Sequence, residues 1–520
     1  MKTPTTTSFA SSQSSSSCAD PYETISKGEE VEDGLVTSPL MRKSIAAALV
    51  GALQFGWMMG EMSYLPFNNV KYCAMTEIPA GQCILFPGHT NAEWTMQSTA
   101  WAVGGGIGAL LSAYPADKYG RKRTLGWNGI LMIVGGLIQL ISADIYTFAI
   151  GRGINGLASG IAVNVLNNYL REISPIQWRM FYLTMVQLAL SCGALIVTTL
   201  MYAISHVPNE WEYKYFFGGP ILLGLIQIAV MRYIIESPTW LIQTQQIEES
   251  RQAMNQLYLP GDVESHWKTK VESIGRQTQE VQSSSSKLGL LLSRKYCKQF
   301  FLAIVLAMMQ QLCGMNALVV YGPQIFLSIG VHELRLSNTL VNFSRLDNMF
   351  LASRFGSRFS RRTLLLAGSL GMVLGSTAFT FCQIYPDDTT KWLQLACLAT
   401  FVMSFCFSIG SLGWLVSTEL VPEALGATSG SISTFFTWTA QFFIGVYFQQ
   451  ISNTKHWGTQ AFFTFAVVNF IFFFFVMAFV PDTNNKSTDE VTAMFYTEAS
   501  TMDGFTLAAT PKGFEEIEIA

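Results

Sequence analysis

Twelve apolar runs, each near the twenty residues that an α-helix needs to cross a bilayer, constrain this chain more than anything else in it. They fall at roughly 46–66, 94–115, 124–143, 145–168, 180–204, 214–235, 299–329, 337–356, 362–384, 392–417, 429–450 and 461–480. Hydrocarbon offers the backbone no hydrogen-bond partner, so each run must be helical. The expected fold is all-α and integral to the membrane, with twelve transmembrane helices and both ends on one side. The composition agrees, being half hydrophobic with only 13% charged residues. A net charge of -3 argues against a nucleic-acid partner.

Lys and Arg in the short loops set the orientation. Lys118, Arg121, Lys122, Arg123, Arg171, Arg179, Arg358, Arg361 and Arg362 lie on one side, and Lys71, Lys214, Arg335, Lys391 and Lys455 on the other. Nine against five places the ends and the long 236–298 loop in the cytosol. Residues 1–44, rich in Ser and Thr and without an apolar core, read as a disordered cytosolic tail. Six spans follow in 45–235. Amphipathic helices are expected in the loop at Ile247 to Leu257 and Glu264 to Gln282, then a flexible linker at Ser283 to Ser286. Residues 299–480 hold the second six spans and 481–520 a second cytosolic tail.

Three landmarks recur in the two halves. Asp117 to Leu125, after the second span, is echoed by Ser357 to Leu364. Glu172-Ile173-Ser174-Pro175 matches Glu419-Leu420-Val421-Pro422, and Glu236-Ser237-Pro238 pairs with Pro481-Asp482-Thr483. Two six-span halves in the same orientation are implied, a parallel repeat of the kind used for alternating access.

The polar residues inside the spans carry the chemistry. Gln310, Gln311 and Asn316 interrupt a segment otherwise apolar from Phe300 to Ile329. Amides supply donors and acceptors together, which suits an uncharged, polyhydroxylated solute; the other reading is hydrogen bonding between neighbouring helices. Adjacent Gln side chains project about 100° apart on a helix, so one can line a cavity while the other binds a neighbour. Trp414 sits inside its span after Gly410, Ser411 and Gly413, where a sugar can stack on its face. Arg152 lies within the fourth span, and either pairs with a carboxylate such as Glu61 or reaches for the surface. Glu61 is the only acid of the first span and a possible proton site. Gly151 to Gly156 fits G-x-G-x-x-G, but no strand precedes it, and small residues for close helix packing explain both this run and Gly104 to Gly108. The nine Cys show no metal spacing and the five His all read as loop residues, so neither a metal, a cofactor nor enzymatic chemistry is expected. Cys73 and Cys83 can pair as a disulfide or stay as free thiols.

At these landmarks the chain resembles the sugar porter family of the major facilitator superfamily. The likeness covers most of 45–490: Gln54-Phe55-Gly56, the Asp117 to Arg123 motif, Gly151-Arg152, Tyr169 to Pro175 with Arg179, Glu236-Ser237-Pro238, Gln310 to Asn316, Trp414 with Glu419, and Pro481 to Ser487. It implies a major facilitator fold and a central cavity in which Gln187, Gln310, Gln311, Asn316, Trp414 and Gln441 contact a sugar, with Asn342 a further candidate and Tyr321 an aromatic residue of the outer gate. It also implies that Asp117, Arg121, Glu172, Arg179, Glu236, Arg361, Arg362 and Glu419 form cytosolic ion pairs tying the halves together when the cavity opens outward.

The first span resembles facilitator-type and fungal vacuolar members, with Met58 where proton-coupled members carry Asp. The expectation is a monomeric hexose uniporter in a vacuolar or plasma membrane; the alternatives are a proton symporter using Glu61 and a sugar sensor that does not transport. Several positions depart from the family. Arg345, Asp347 and Arg354 interrupt the eighth span, which inserts readily only if Arg345 and Asp347 pair. Gly426 stands where an Arg would face Glu419, Cys406 where facilitators commonly carry Glu, and Asn167 and Thr239 replace the usual Pro and Arg.

Overall fold

The computed structural model describes residues 35–62, 73, 83, 85–203, 210–284, 286–329, 334–355, 358–385, 388–448, 458–484, 486 and 490–495. Helices account for nearly all of it. The first half contains α1 (Pro39–Ala48), α2 (Val50–Glu61), α3 (Asn91–Tyr119), α4 (Arg121–Ile141), α5 (Ile145–Ile173), α6 (Arg179–Leu200), α7 (Glu210–Phe217) and α8 (Gly219–Val230). Four helices connect the halves: α9 (Pro238–Gln243), α10 (Ile247–Leu257), α11 (Val263–Ser283) and α12 (Lys287–Leu291). The second half contains α13 (Cys297–Leu312), α14 (Met315–Ser328), α15 (Leu334–Phe355), α16 (Arg361–Ile384), α17 (Asp388–Phe407), α18 (Ile409–Glu419), α19 (Gly426–Phe443) and α20 (Phe463–Phe479). Among the described residues, seven helical stretches are long and apolar enough to cross a membrane by length and composition. The other predicted spans are helical too, but carry polar or charged residues such as Arg152 in α5 and Arg345 in α15.

Several spans are two helices end to end, and the breaks have local causes. Gly314 separates α13 from α14 at φ +101°, and a Cβ there would lie 2.4 Å from the Phe465 ring, so both conformation and space require glycine. Ser408 separates α17 from α18 with φ -119° and ψ -110°. Leu49 divides α1 from α2. The first span of each half is thus interrupted at its own place, while α5 runs unbroken through the position matching the α17–α18 break.

Small residues bring α3 and α5 into backbone contact. A Cβ on Gly104 would lie 1.9 Å from the Gly153 carbonyl oxygen, and one on Gly160 would lie 2.0 Å from that of Gly105. The glycine runs at 104–108 and 151–156 therefore serve helix packing, as expected. The halves meet where α3 packs on α19 and α6 on α15.

The structure corrects three readings of the flanking segments. Residues 35–44 are ordered: Ser38 caps α1 through a bond from the Met41 N–H, and Thr37 bridges to Tyr258. Residues 1–34 lie outside the described residues. Ser283 ends α11 and Ser286 caps α12 by accepting from the Gly289 N–H, so this end of the linker is shaped by capping hydroxyls. His266 lies within α11 and is no loop residue; His89 is in a loop, and His206, His332 and His456 lie outside the described residues. Cys73 and Cys83 are joined as a disulfide.

Candidate functional site

The break between α13 and α14 collects the amides. Gln310 is buried and donates from Nε2 to the Gly410 carbonyl at 3.3 Å, linking α13 to the start of α18. Gln311 is buried as well, and its Oε1 has no hydrogen-bond partner. One of the two adjacent amides thus binds a neighbouring helix while the other keeps a free acceptor, the division their helical spacing suggests. Asn316, in the first turn of α14, donates to Gln441 Oε1 of α19 at 2.7 Å. Gln187 is buried on α6 in the opposite half, and Asn342 is buried on α15. Tyr321 lies in α14, but its side chain is outside the described residues.

Trp414, buried on α18, borders a small cleft between the halves. Asn164 and Asn167 of α5 line it from one half, Ser433 and Thr434 of α19 from the other. The amides at 187, 310, 311, 316 and 441 are not part of that lining, so Trp414 alone of the expected set borders the cleft. Asn167 Oδ1, Ser433 Oγ and Thr434 Oγ1 are buried without partners. These polar positions were missed from sequence, although Ser429, Ser433 and Thr437 recur at the four-residue spacing of one helix face.

Glu61 at the end of α2 faces Arg152 of α5, with Nη1 to Oε2 at 3.9 Å and both side chains buried. The pairing alternative for Arg152 is the one adopted, although neither Glu61 oxygen receives a hydrogen bond. Met58, one turn earlier, is fully buried.

The charged end of the bundle departs from expectation in an informative way. Arg121 grips Glu172 at two points, Nε to Oε2 at 2.9 Å and Nη2 to Oε1 at 2.7 Å. Arg361 pairs with Glu419, and the Thr483 hydroxyl donates to the same carboxylate at 3.0 Å. Each pair joins elements of one half. The repeat-matched ion pairs therefore brace each half internally instead of tying the two together. Gly426 leaves no gap at Glu419, because Arg361 and Thr483 occupy that carboxylate. Arg362 donates to the Met477 carbonyl, and Asp117 receives Lys287 of α12 at 2.5 Å.

Glu236 caps α4. It accepts the Arg121 N–H at 2.9 Å and the Lys122 N–H at 3.2 Å, and a Cβ on Gly120, at φ +91°, would meet its Oε2 at 2.2 Å. A carboxylate on orphan N–H groups at a helix start is a favourable use of both. Burial is the largest influence on this carboxyl and raises it above the usual range, against the backbone donors and Arg121.

Ties between the halves are made chiefly by residues outside the expected set. Arg171 donates from Nη2 to the Val421 carbonyl at 2.7 Å, and Asn164 from Nδ2 to the Ala427 carbonyl at 3.4 Å. Glu423, after α18, accepts from the Thr239 hydroxyl at 3.0 Å and faces Lys270 Nζ at 3.8 Å. Lys270 also donates to the Glu172 carbonyl at 2.7 Å, so it bridges the first half and Glu423. Arg179 contributes to the field at Glu423 as well. Thr239, a departure from the family pattern, is thus a working partner in the connector for an acid of the second half.

In the eighth span, Arg345 and Asp347 do not pair. Two residues apart on α15 they face different sides, Arg345 buried and Asp347 exposed.

Residues 43–495 match the protein family described as sugar (and other) transporters. Facilitated glucose transporter member 3 of Ovis aries is 27% identical over 483 residues, covering 90% of this chain and 94% of that protein. The human facilitated glucose transporter member 4 is 28% identical, covering 88% and 91%. The arabinose-proton symporter of Bacillus subtilis (strain 168) is 26% identical, covering 75% and 84%. Among solved structures, the major facilitator superfamily proton:xylose symporter XylE bound to 6-bromo-6-deoxy-D-glucose superposes with a TM-score of 0.76 at 20% identity, covering 88% of this chain and all of that one. The inward-open form of XylE from E. coli gives 0.64 at the same identity, covering 87% and 99%.

Proposed function

The chain belongs to the sugar transporter family, with the fold of the major facilitator superfamily, and from that premise we propose that it carries a hexose-like sugar across a membrane by alternating access, as a facilitative uniporter. The observation that supports this best is the set of buried amides at the α13–α14 break, Gln310, Gln311 and Asn316, with the half-buried Gln441 of α19 bonded to Asn316. Such groups read a hydroxyl pattern, since a sugar lacking a hydroxyl leaves a buried amide unpaired at about 1–3 kcal/mol. Gln187 faces them from the other half in this reading, and Tyr321 serves the outer gate.

The domain scheme supports the same cycle. Residues 45–235 and 299–480 are the two moving halves, 236–298 is the cytosolic connector, and the arginine and glutamate pairs at 121/172 and 361/419 keep each half rigid. The chain acts as a monomer in a vacuolar or plasma membrane with both ends in the cytosol.

A second reading is favoured by one observation: Glu61 is a buried acid whose oxygens lack hydrogen bonds, beside Arg152. A carboxylate so placed is suited to take up and release a proton, which would make the carrier a symporter. The experiment is uptake of labelled hexoses into liposomes holding the purified protein, with and without an inward proton gradient. Gradient-independent uptake supports uniport, and sugar-driven alkalinisation of a weakly buffered exterior supports symport. Sugar binding with no uptake under either condition makes the protein a sensor and ends the carrier reading.

A further inference from the structure

Arg345 lies mid-way along α15 and is 2% exposed. Among the described residues its side chain has one hydrogen bond, from Nη1 to Asn342 Oδ1, and at 3.5 Å that bond is long; Nε has none. Among the described residues, the titratable groups nearest it in the neighbouring elements are two thiols, Cys406 of α17 and Cys313 at the α13–α14 break. Cys406 Sγ lies 3.8 Å from the Arg345 carbonyl oxygen. The contrast with the first half is direct, because the buried Arg152 there has Glu61 opposite it.

The place of this cation matters as much as its lack of an acid. Cys313 lies 3.3 Å from the Gln310 carbonyl oxygen and follows Gln311 by two residues. The guanidinium is therefore near the α13–α14 break that carries those amides, and its one hydrogen-bond partner, Asn342, is itself a candidate sugar contact. A guanidinium stays protonated in proteins, and burying one with no anion opposite it is strongly unfavourable. No acid of the described protein supplies it, and a cargo can.

We propose that the sugar this protein carries is an acidic monosaccharide whose single carboxylate pairs with Arg345 while its hydroxyls are read by the amides. The proposal rests on the sugar-carrier reading and narrows its substrate class. One guanidinium matches one carboxylate in charge and in planar two-point geometry, whereas a phosphate ester would bring more negative charge than the site balances. Carrying such an anion moves charge, so uptake responds to membrane voltage.

The test uses the full chain in liposomes at pH 7.5 with a potassium diffusion potential of either sign, and labelled glucuronate, glucose and glucose 6-phosphate. Wild type is expected to take up glucuronate at least tenfold faster than glucose, and faster still with the interior positive. Arg345→Gln is expected to lower the glucuronate-to-glucose ratio at least tenfold, with a cooperative thermal transition in detergent showing that it folds. Cys406→Glu, which supplies an internal acid beside Arg345, is expected to do the same with the arginine in place. Uptake of glucose with glucuronate neither carried nor competing overturns the acidic-sugar proposal and leaves the carrier reading standing, as does an unchanged ratio in both variants. A preference for glucose 6-phosphate also overturns it. Failure to carry any of the three sugars, at either voltage, overturns the carrier reading and this proposal with it.

Discussion

The Arg171 guanidinium donates to the Val421 carbonyl at 2.7 Å, reaching from the end of α5 in one half to the turn after α18 in the other. Both side chains are buried, so opening this end of the molecule must break a charge-assisted bond out of contact with water. Such bonds contribute about 1.5–3 kcal/mol. Arg171→Ala is expected to shift the closed–open equilibrium by roughly tenfold or more toward opening at the charged end. The alkylation rate of a cysteine placed at Ser433, approached from that side, reads the shift; an unchanged rate removes Arg171 from the closure.

Glu423 gives that closure a pH dependence with a definite sign. Burial by itself raises its carboxyl, but Lys270, Arg171 and Arg179, with the Thr239 hydroxyl, more than offset it and hold it down to about 2. The closed form therefore favours the ionised acid, and an opened form in which Glu423 meets water returns it to the ordinary 4.5. Its contribution to closure is complete above that ordinary value, declines below it, and is lost as pH falls through about 2. Spin-label distances between the halves should stay constant from pH 8 to 5 and lengthen in acid. Glu423→Gln should show the longer distance at every pH, and a wild-type profile in that variant counts against the assignment.

Gln310 separates substrate contact from helix bonding. Gln310→Ala removes both the amide and its bond to Gly410. If the amide binds sugar, kcat/KM for the carried sugar falls by about tenfold, in line with about 1–3 kcal/mol for an unpaired buried partner, while the melting temperature moves little. A large fall in melting temperature with kcat/KM kept would make Gln310 a packing residue.

The contact of α3 with α5 should tolerate nothing larger than glycine. Gly104→Ala drives a methyl group to 1.9 Å from the Gly153 carbonyl oxygen and is expected to destabilise by about 1–3 kcal/mol. Gly261→Ala, with nothing within 4 Å of the added carbon, is the neutral control. Thermal unfolding in detergent of both variants checks the difference.

The hydropathy pattern made the helices legible, since a bilayer permits little else, and the loop helices at Ile247–Leu257 and Val263–Ser283 appear within a residue of their expected bounds. Buried amides were legible because Gln and Asn stand out in apolar runs. The partners were not. Arg121 and Glu172 carry no mark in the sequence to say that they close within one half. Glu423 looked like any loop acid, although three cations converge on it in space. Asp347 was the one acid the eighth span offered Arg345, but helical geometry turns the two apart. Ser38 was hidden for a similar reason, in a Ser-rich stretch whose composition says nothing of the single hydroxyl that caps α1.

That hydroxyl belongs to a junction with a consequence for how the chain is made. Ser38 donates from its backbone N–H to the Leu257 carbonyl and from its side chain to that of Gln256, 218 positions further on, and the Leu259 N–H returns a bond to Val36. At about 5–20 residues per second of synthesis, the leading segment waits roughly 10–45 s for its partner to leave the ribosome. The whole first bundle is synthesised in that interval, so the segment ahead of α1 fastens onto the connector only after its own half has been made.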